Sequence, residues 1–374
     1  MRHSLNVHRA VLDEAPERSW YRRYRFDLLW GVIVLGLVLA AFVVPHLHLG
    51  SIIPVINQTA VQTKVLAQTA PLLGQWLPHV SWASAGAAII AVTIVRWGPS
   101  MAQTIRWRRL VGAAWIISAA WTMSLALIDG WSRGFVSKMG GQDQYLSMVP
   151  RVRSVSGLVH GFATHIPAGQ PGSWDIDVAG HPVGALLTFV GLDRIGLSGP
   201  IWASSFCVLA GSSTAAAVLI AVRALSGEAT ARRVAPFVGL APVAVWIGVS
   251  ADAYYAGVAA WGLTLLAVAA AGTTRFSAAA SLGAGVLLGF CIYLDYGLIL
   301  MAIPALAVLM IARNYRPLIG AALGAVAVAT LFTTMGFWWL GGLSLLRHRY
   351  WTTIAMDRPL AYWSWANLAS LTCA

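Results

Sequence analysis

Apolar runs long enough to cross a lipid bilayer recur along this chain, and no other feature restricts its fold as much. A helix needs about 20 predominantly apolar residues to traverse the hydrocarbon core. Runs near that length, or slightly short of it, occupy 28–45, 82–97, 110–128, 201–222, 235–250, 253–271, 277–294, 297–312 and 317–335. In lipid every backbone N–H and C=O must be satisfied within the chain, so such runs are expected as helices. Only 10% of the 374 residues are charged, against roughly a quarter in soluble domains. That balance excludes an ordinary soluble enzyme and a disordered chain. The expected fold class is all-α, a polytopic transmembrane bundle of about nine spans with an outer-face loop carrying interfacial helices.

Orientation follows from the bases. Arg18, Arg22, Arg23 and Arg25 precede the first run; Arg96, Arg106, Arg108 and Arg109 flank the turn after the second. Arg223, Arg232 and Arg233 follow the fourth, Arg275 the sixth, and Arg313 and Arg316 the eighth. Every second connection is basic, and the positive-inside rule places those connections and the N-terminus in the cytoplasm. The net charge of +12 is therefore topology rather than a nucleic-acid surface, because the bases form no single patch. Arg in place of Lys at nearly every basic position, with abundant Ala and Gly, resembles a high-GC bacterial gene, so the expected location is a bacterial inner (plasma) membrane. No cleavable signal peptide is expected from the polar, Arg-rich first 25 residues. Cys207, Cys291 and Cys373 stand in apolar surroundings at unrelated spacing and read as core residues.

The acids are distributed differently. Beyond the N-terminal segment only Glu228 falls on the cytoplasmic side, whereas Asp129, Asp143, Asp175, Asp177, Asp193, Asp252, Asp295 and Asp357 fall on the outer side or at its interface. A carboxylate beside hydrocarbon is costly unless it is solvated, paired or used. Any chemistry is expected on that outer face, above all in the long connection 129–200. Within it, Gly140-Gly141-Gln142-Asp143-Gln144-Tyr145-Leu146 is a glycine-led turn entering an amphipathic stretch. Further on, Asp177-Val178-Ala179-Gly180-His181-Pro182-Val183 opens a run too short to span. Its apolar positions Val183, Leu186, Leu187 and Val190 follow helical spacing, so a helix lying in the outer interface is expected there.

A span ending in Asp129, then Asp143-Gln144-Tyr145 in the outer loop, then His181-Pro182-Val183 opening an interfacial helix resembles the GT-C superfamily of membrane glycosyltransferases. Many members carry an acidic pair followed by Tyr in the first large outer loop and a His-Pro-Pro motif after it. Here Gln144 replaces the second acid and Val183 the second Pro. The resemblance covers roughly 110–310, with two additional spans before it. It implies domains at 1–27 (cytoplasmic segment), 28–109 (two N-terminal spans), 110–335 (transferase core with outer loop 129–200) and 336–374 (outer segment and incomplete last span).

The resemblance also implies transfer of a sugar, with inversion, from a polyprenyl-phosphate donor to an envelope glycan, lipid or protein acceptor, with membrane lipids as the other partners and no nucleic acid. Such a reaction needs a carboxylate to take the proton of the acceptor hydroxyl and cationic donors for the leaving lipid phosphate. Asp143 is the first candidate for the base and Asp129 the second, the latter also placed to pair with Arg133. Tyr145 belongs to the acidic-pair motif. Asp177 either orients the acceptor or pairs with a loop arginine, and His181 either hydrogen-bonds a phosphate or orders its turn. Arg347, His348 and Arg349 either hold the lipid phosphate or bind headgroups. Asp252 and Asp295, at the tips of short hairpins, either touch sugar hydroxyls or anchor the interface. No His, Cys and carboxylate share metal-ligand spacing, so no cofactor is expected; a divalent ion is compatible with the family but has no support in spacing. The alternative readings are a transporter or flippase of an envelope precursor, or a non-catalytic, truncated scaffold.

Overall fold

A computed structural model describes residues 20–47, 80–141, 144–272, 276–353 and 360–372. Asp143, Asp357 and Cys373 lie outside the described residues. The described residues are helical, with no strand among them. The chain divides into two compact units, residues 1–77 with 354–374, and residues 78–353.

In the first unit, α1 (Trp20–Val43) packs against the last described helix, Leu360–Thr372. Ala41, Tyr362, Trp363, Ala366 and Ala369 form their buried seam, and the Tyr362 hydroxyl donates to the Ala41 carbonyl at 2.8 Å. The expected incomplete last span is thus a helix lying along the first one.

The second unit carries α2 (Trp82–Thr104), α3 (Trp107–Ala126), α4 (Val183–Arg194), α5 (Pro200–Ser226, broken at Ser213), α6 (Glu228–Gly239), α7 (Ala251–Ala271), α8 (Ser277–Leu294), α9 (Tyr296–Ala312), α10 (Pro317–Thr334) and α11 (Trp339–Thr352). Among the described residues, seven helices are long and apolar enough to cross a membrane: the apolar part of α1, Arg25–Val43, then α2, α3 extended to Ile128, α5, α7, α8 and α10. The chain is a multi-pass helical membrane protein. Ile89, Val92, Val95, Ile116, Ile303, Leu306 and Leu323 are exposed on its helices, as side chains facing hydrocarbon would be.

Two of the apolar runs take other forms. The run 297–312 begins as a 3-10 turn and reaches only 17 residues with Tyr296. The run 235–250 is not one helix. α6 ends at Gly239, Pro242 lacks the N–H that would continue it, and Ala244–Ile247 forms a separate turn of helix. Segment 228–250 nevertheless follows α2 and α3 along their length. Arg232 donates to the carbonyls of Ala102 and Ile105, Gly239 packs on Ile117, and the Trp121 indole donates to the Ala241 carbonyl.

Small residues set the closest helix contacts. Ser281, Gly285 and Gly289 of α8 recur every fourth residue and meet Gly320, Ala321, Gly324 and Ala325 of α10, the arrangement by which membrane helices gain van der Waals contact without a hydrophobic driving force. The largest apolar core lies at one end of the bundle. There the segment between α3 and α5 folds into short helices over the ends of α5, α7, α8 and α10, burying Tyr145, Met148, Phe162, Ile166, Leu186, Phe189, Tyr255, Tyr293 and Phe337. The helix expected over 183–192 is α4, but it does not lie on a surface. Val183, Gly184, Ala185, Leu186, Phe189 and Val190 are all buried, because α8 packs on one side of it and the surrounding short helices cover others.

Candidate functional site

Three chain segments meet at that end of the bundle. The turn before α4 contributes His181, the first turn of α7 contributes Asp252, and the residue that ends α8 contributes Asp295. One ligand-capable atom from each lies within 4.8 Å of the others. Local chemistry explains each position. Asp252 sits in the first turn of α7, where the helix dipole favours an acid. Asp295 leaves α8 in an extended conformation, and its Oδ1 accepts the Gly297 N–H that opens the following 3-10 turn.

Close backbone approach then brings the segments together. A Cβ on Gly184 of α4 would stand 2.4 Å from the Tyr293 carbonyl oxygen of α8. One on Gly257 of α7 would stand 2.4 Å from the Ala210 carbonyl of α5. Only glycine permits those two contacts.

His181 is held on all sides. Its Nδ1–H donates to the Asp177 carbonyl at 2.6 Å, and Nε2 faces Asp295 Oδ2 at 3.4 Å. The carbonyl takes the Nδ1–H, which leaves Nε2 as the ring atom facing the carboxylate; in the imidazolium form its N–H donates to Asp295. The rings of Tyr145 and Tyr255 flank the imidazole, each with its centroid 5.8 Å away, and the Tyr255 hydroxyl donates to that of Tyr145 at 2.9 Å. Burial opposes the imidazolium, but the hydrogen bond to Asp295, the Asp177 carbonyl and the charges of Asp295 and Asp252 outweigh it, and the His181 pKa lies above its ordinary value. Burial likewise works against the Asp295 carboxylate. The hydrogen bond and charge of His181, with the N–H groups of Gly297 and Leu298, reverse that and hold it below the usual carboxylate range. Burial, aided by the charges of Asp177, Asp252 and Asp295, pushes the Tyr145 phenol well above its ordinary value, so it stays protonated.

A second layer ties the turn after Gly141 to the 175–177 segment. Gln144 Nε2 donates to the Asp177 carboxylate, and the Ser147 hydroxyl donates to Asp175 at 2.7 Å. Beside this layer a cavity of about 420 Å³ is lined by Gly141, Ser147, Phe189 and Asp193. A different, almost wholly apolar cavity of about 300 Å³ runs between α7, α8, α9 and α10. It is lined by Ile292 and Leu298, which bracket Asp295 in sequence, and continues to Leu306, Leu309 and Leu318.

Of the residues singled out from sequence, Tyr145, Asp177, His181, Asp252 and Asp295 come together here. Asp129 is at the end of α3, 3.0 Å from Arg133. Arg347 and His348 are exposed on α11. Arg349 Nη1 donates to the carbonyls of Ile166 and Trp174, which fastens α11 to the covering segment. Tyr255 and Gln144 carry more of the arrangement than their sequence context shows. Tyr255 is one of several aromatic residues at a helix start, and Gln144 reads only as a departure from an acidic pair. No family model, no curated protein and no solved structure matches the chain.

Proposed function

We propose that the chain is a membrane glycosyltransferase of GT-C type that moves a sugar, with inversion, from a polyprenyl-phosphate donor to an acceptor of the cell envelope. The observation that carries this reading is the apolar cavity between α7, α8, α9 and α10, whose lining includes Ile292 and Leu298 on either side of Asp295 in sequence. A lipid-linked substrate needs both parts: a groove at hydrocarbon depth for its chain, and polar side chains where that groove ends for its head group. In this reading the broken segment 228–250 and α9 cross as well, giving nine crossings with α1. The basic connections are cytoplasmic and the site faces outward.

The acceptor hydroxyl attacks the anomeric carbon and its proton passes to the Asp143 carboxylate. The new glycosidic bond forms as the bond from the anomeric carbon to the phosphate oxygen breaks, and the electron pair leaves on the polyprenyl phosphate. Asp143 is the neighbour in sequence of Gln144, which binds Asp177. The cavity lined by Gly141 and Ser147 offers the acceptor a place beside that turn. Asp129 is the weaker candidate because Arg133 already occupies it. Arg347 and His348, exposed on α11, are free to meet the leaving phosphate, whereas Arg349 is spent on backbone carbonyls. The test is transfer from a labelled polyprenyl-phosphate sugar in membranes holding the chain. Asp143→Asn is expected to lower the rate by about 10²–10⁴-fold. Failure of every polyprenyl-phosphate sugar to transfer, with the protein folded, overturns the reading.

A further inference from the structure

We propose that His181, Asp252 and Asp295 form a binding site for one divalent ion of the Mn²⁺ and Zn²⁺ class. The distances suit such an ion. With bonds of about 2.0–2.1 Å, a tetrahedral ion sets its ligand atoms about 3.3 Å apart, and His181 Nε2 already stands 3.4 Å from Asp295 Oδ2. The third ligand atom lies within 4.8 Å of both. Asp252 is exposed, and its hydrogen-bond partner among the described residues is the Ser250 hydroxyl at 3.5 Å, so a side-chain rotation can close the remaining edges.

An independent observation comes from the other side of the imidazole. Metal-binding histidines typically donate their second ring N–H to a carbonyl or carboxylate, which fixes tautomer and orientation. His181 does so to the Asp177 carbonyl at 2.6 Å, with Tyr145 and Tyr255 on its faces. The charges point the same way. Among the described residues no Lys or Arg is paired with Asp252 or Asp295, so two carboxylates at the end of an apolar bundle have one imidazole between them. A dication supplies the missing charge. The imidazole ligand favours transition ions over Ca²⁺ and Mg²⁺, which prefer all-oxygen sites. Three protein ligands leave a coordination position open on the exposed Asp252 side, as in sites that take water or a substrate oxygen.

Ion binding is independent of the transferase reading and is measured without turnover. The full chain, purified in detergent and stripped with a chelator, is titrated with Mn²⁺ and the free ion followed by electron paramagnetic resonance. One Mn²⁺ per chain is expected, displaced by Zn²⁺ and not by equal Mg²⁺. Asp252→Asn, which alters an exposed side chain, should weaken binding at least about tenfold, as should Asp295→Asn. Asp193→Asn, at the end of α4 and outside the cluster, should bind as the wild type does. Mn²⁺ should also raise the thermal midpoint of the wild type and not that of Asp252→Asn. Absence of stoichiometric binding, or unaltered affinity in Asp252→Asn, overturns the proposal; Mg²⁺ competing equally overturns the ion class.

Discussion

Replacing Gly184 with alanine tests whether the position of α4 against α8 sets the geometry of the His181 site. The added Cβ would stand 2.4 Å from the Tyr293 carbonyl oxygen and 3.0 Å from its carbon, whereas ordinary contact begins at 3.4 Å. Neither partner can yield easily. Tyr293 is stacked on Phe332 at 4.1 Å and set edge-on to Phe337, and Phe189 of α4 is stacked on Tyr145 at 5.1 Å. α4 must therefore retreat by about 1 Å, the gap between the two distances. His181, just before α4, moves with it. At an effective dielectric of about 20, widening the 3.4 Å separation from Asp295 by that amount weakens the attraction by about 1 kcal/mol. Solvent screening reduces this, because a third of the Asp295 side chain is exposed.

Overpacking costs about 1–3 kcal/mol, set against about 1 kcal/mol gained by exchanging glycine for alanine within a helix. Gly191, exposed on the same helix with nothing within 4 Å of an added Cβ, isolates that second effect. Thermal unfolding in detergent, followed by the fluorescence of the 18 tryptophans, should rank Gly191→Ala at or above wild type and Gly184→Ala below it. Gly184→Ala should also lose Mn²⁺ affinity, which Gly191→Ala should keep. If Gly184→Ala is as stable as Gly191→Ala and binds equally well, the contact does not position the site.

Two further outcomes follow from packing elsewhere in the second unit. Arg232 is only 14% exposed; it binds Glu228 through two nitrogens and caps the Ala102 and Ile105 carbonyls at the end of α2. Arg232→Ala should cost about 2–4 kcal/mol by leaving those carbonyls and part of the acid unpaired. Arg232→Lys should recover only part of it, because an ammonium lacks the fork geometry; equal thermal midpoints for the two variants would argue against this role. On α8, a Cβ at Gly285 would stand within 1.9 Å of the Ala321 carbonyl oxygen. Gly285→Val should therefore fail to yield a monodisperse protein, whereas Gly112→Ala on α3, where a Cβ meets nothing, should purify like the wild type. A normal elution profile for Gly285→Val would show that α8 and α10 can separate without cost.

What could be read from sequence follows from which interactions are local. Hydropathy and length are local, so the apolar runs locate α1, α2, α3, α5, α7, α8 and α10 correctly. The run 235–250 has the composition of a span, yet the Gly239–Pro242 stretch breaks its hydrogen-bond ladder. Its neighbours α2 and α3 can accommodate the irregular backbone, because the Trp121 indole satisfies the Ala241 carbonyl. The helix 183–194 shows its period, but the period cannot tell a helix resting on an interface from one enclosed by the segment around it. Tyr145, Asp177, His181, Asp252 and Asp295 stand out because each is polar beside an apolar run.

That His181, Asp252 and Asp295 meet is not visible in their spacing, since they belong to three elements far apart in the chain. Metal-ligand patterns are recognisable only when the ligands share a helix face or a tight loop. In a helical membrane protein the meeting of such residues is decided by how closely the helices approach, and hence by small residues such as Gly184 and Gly257 that carry no chemistry themselves. Sequence signals for a composite site of this kind are therefore to be sought as pairs: a polar residue at a helix end, and a glycine three to five residues on that admits the neighbouring backbone. Gly184 after His181 and Gly257 after Asp252 are two such pairs.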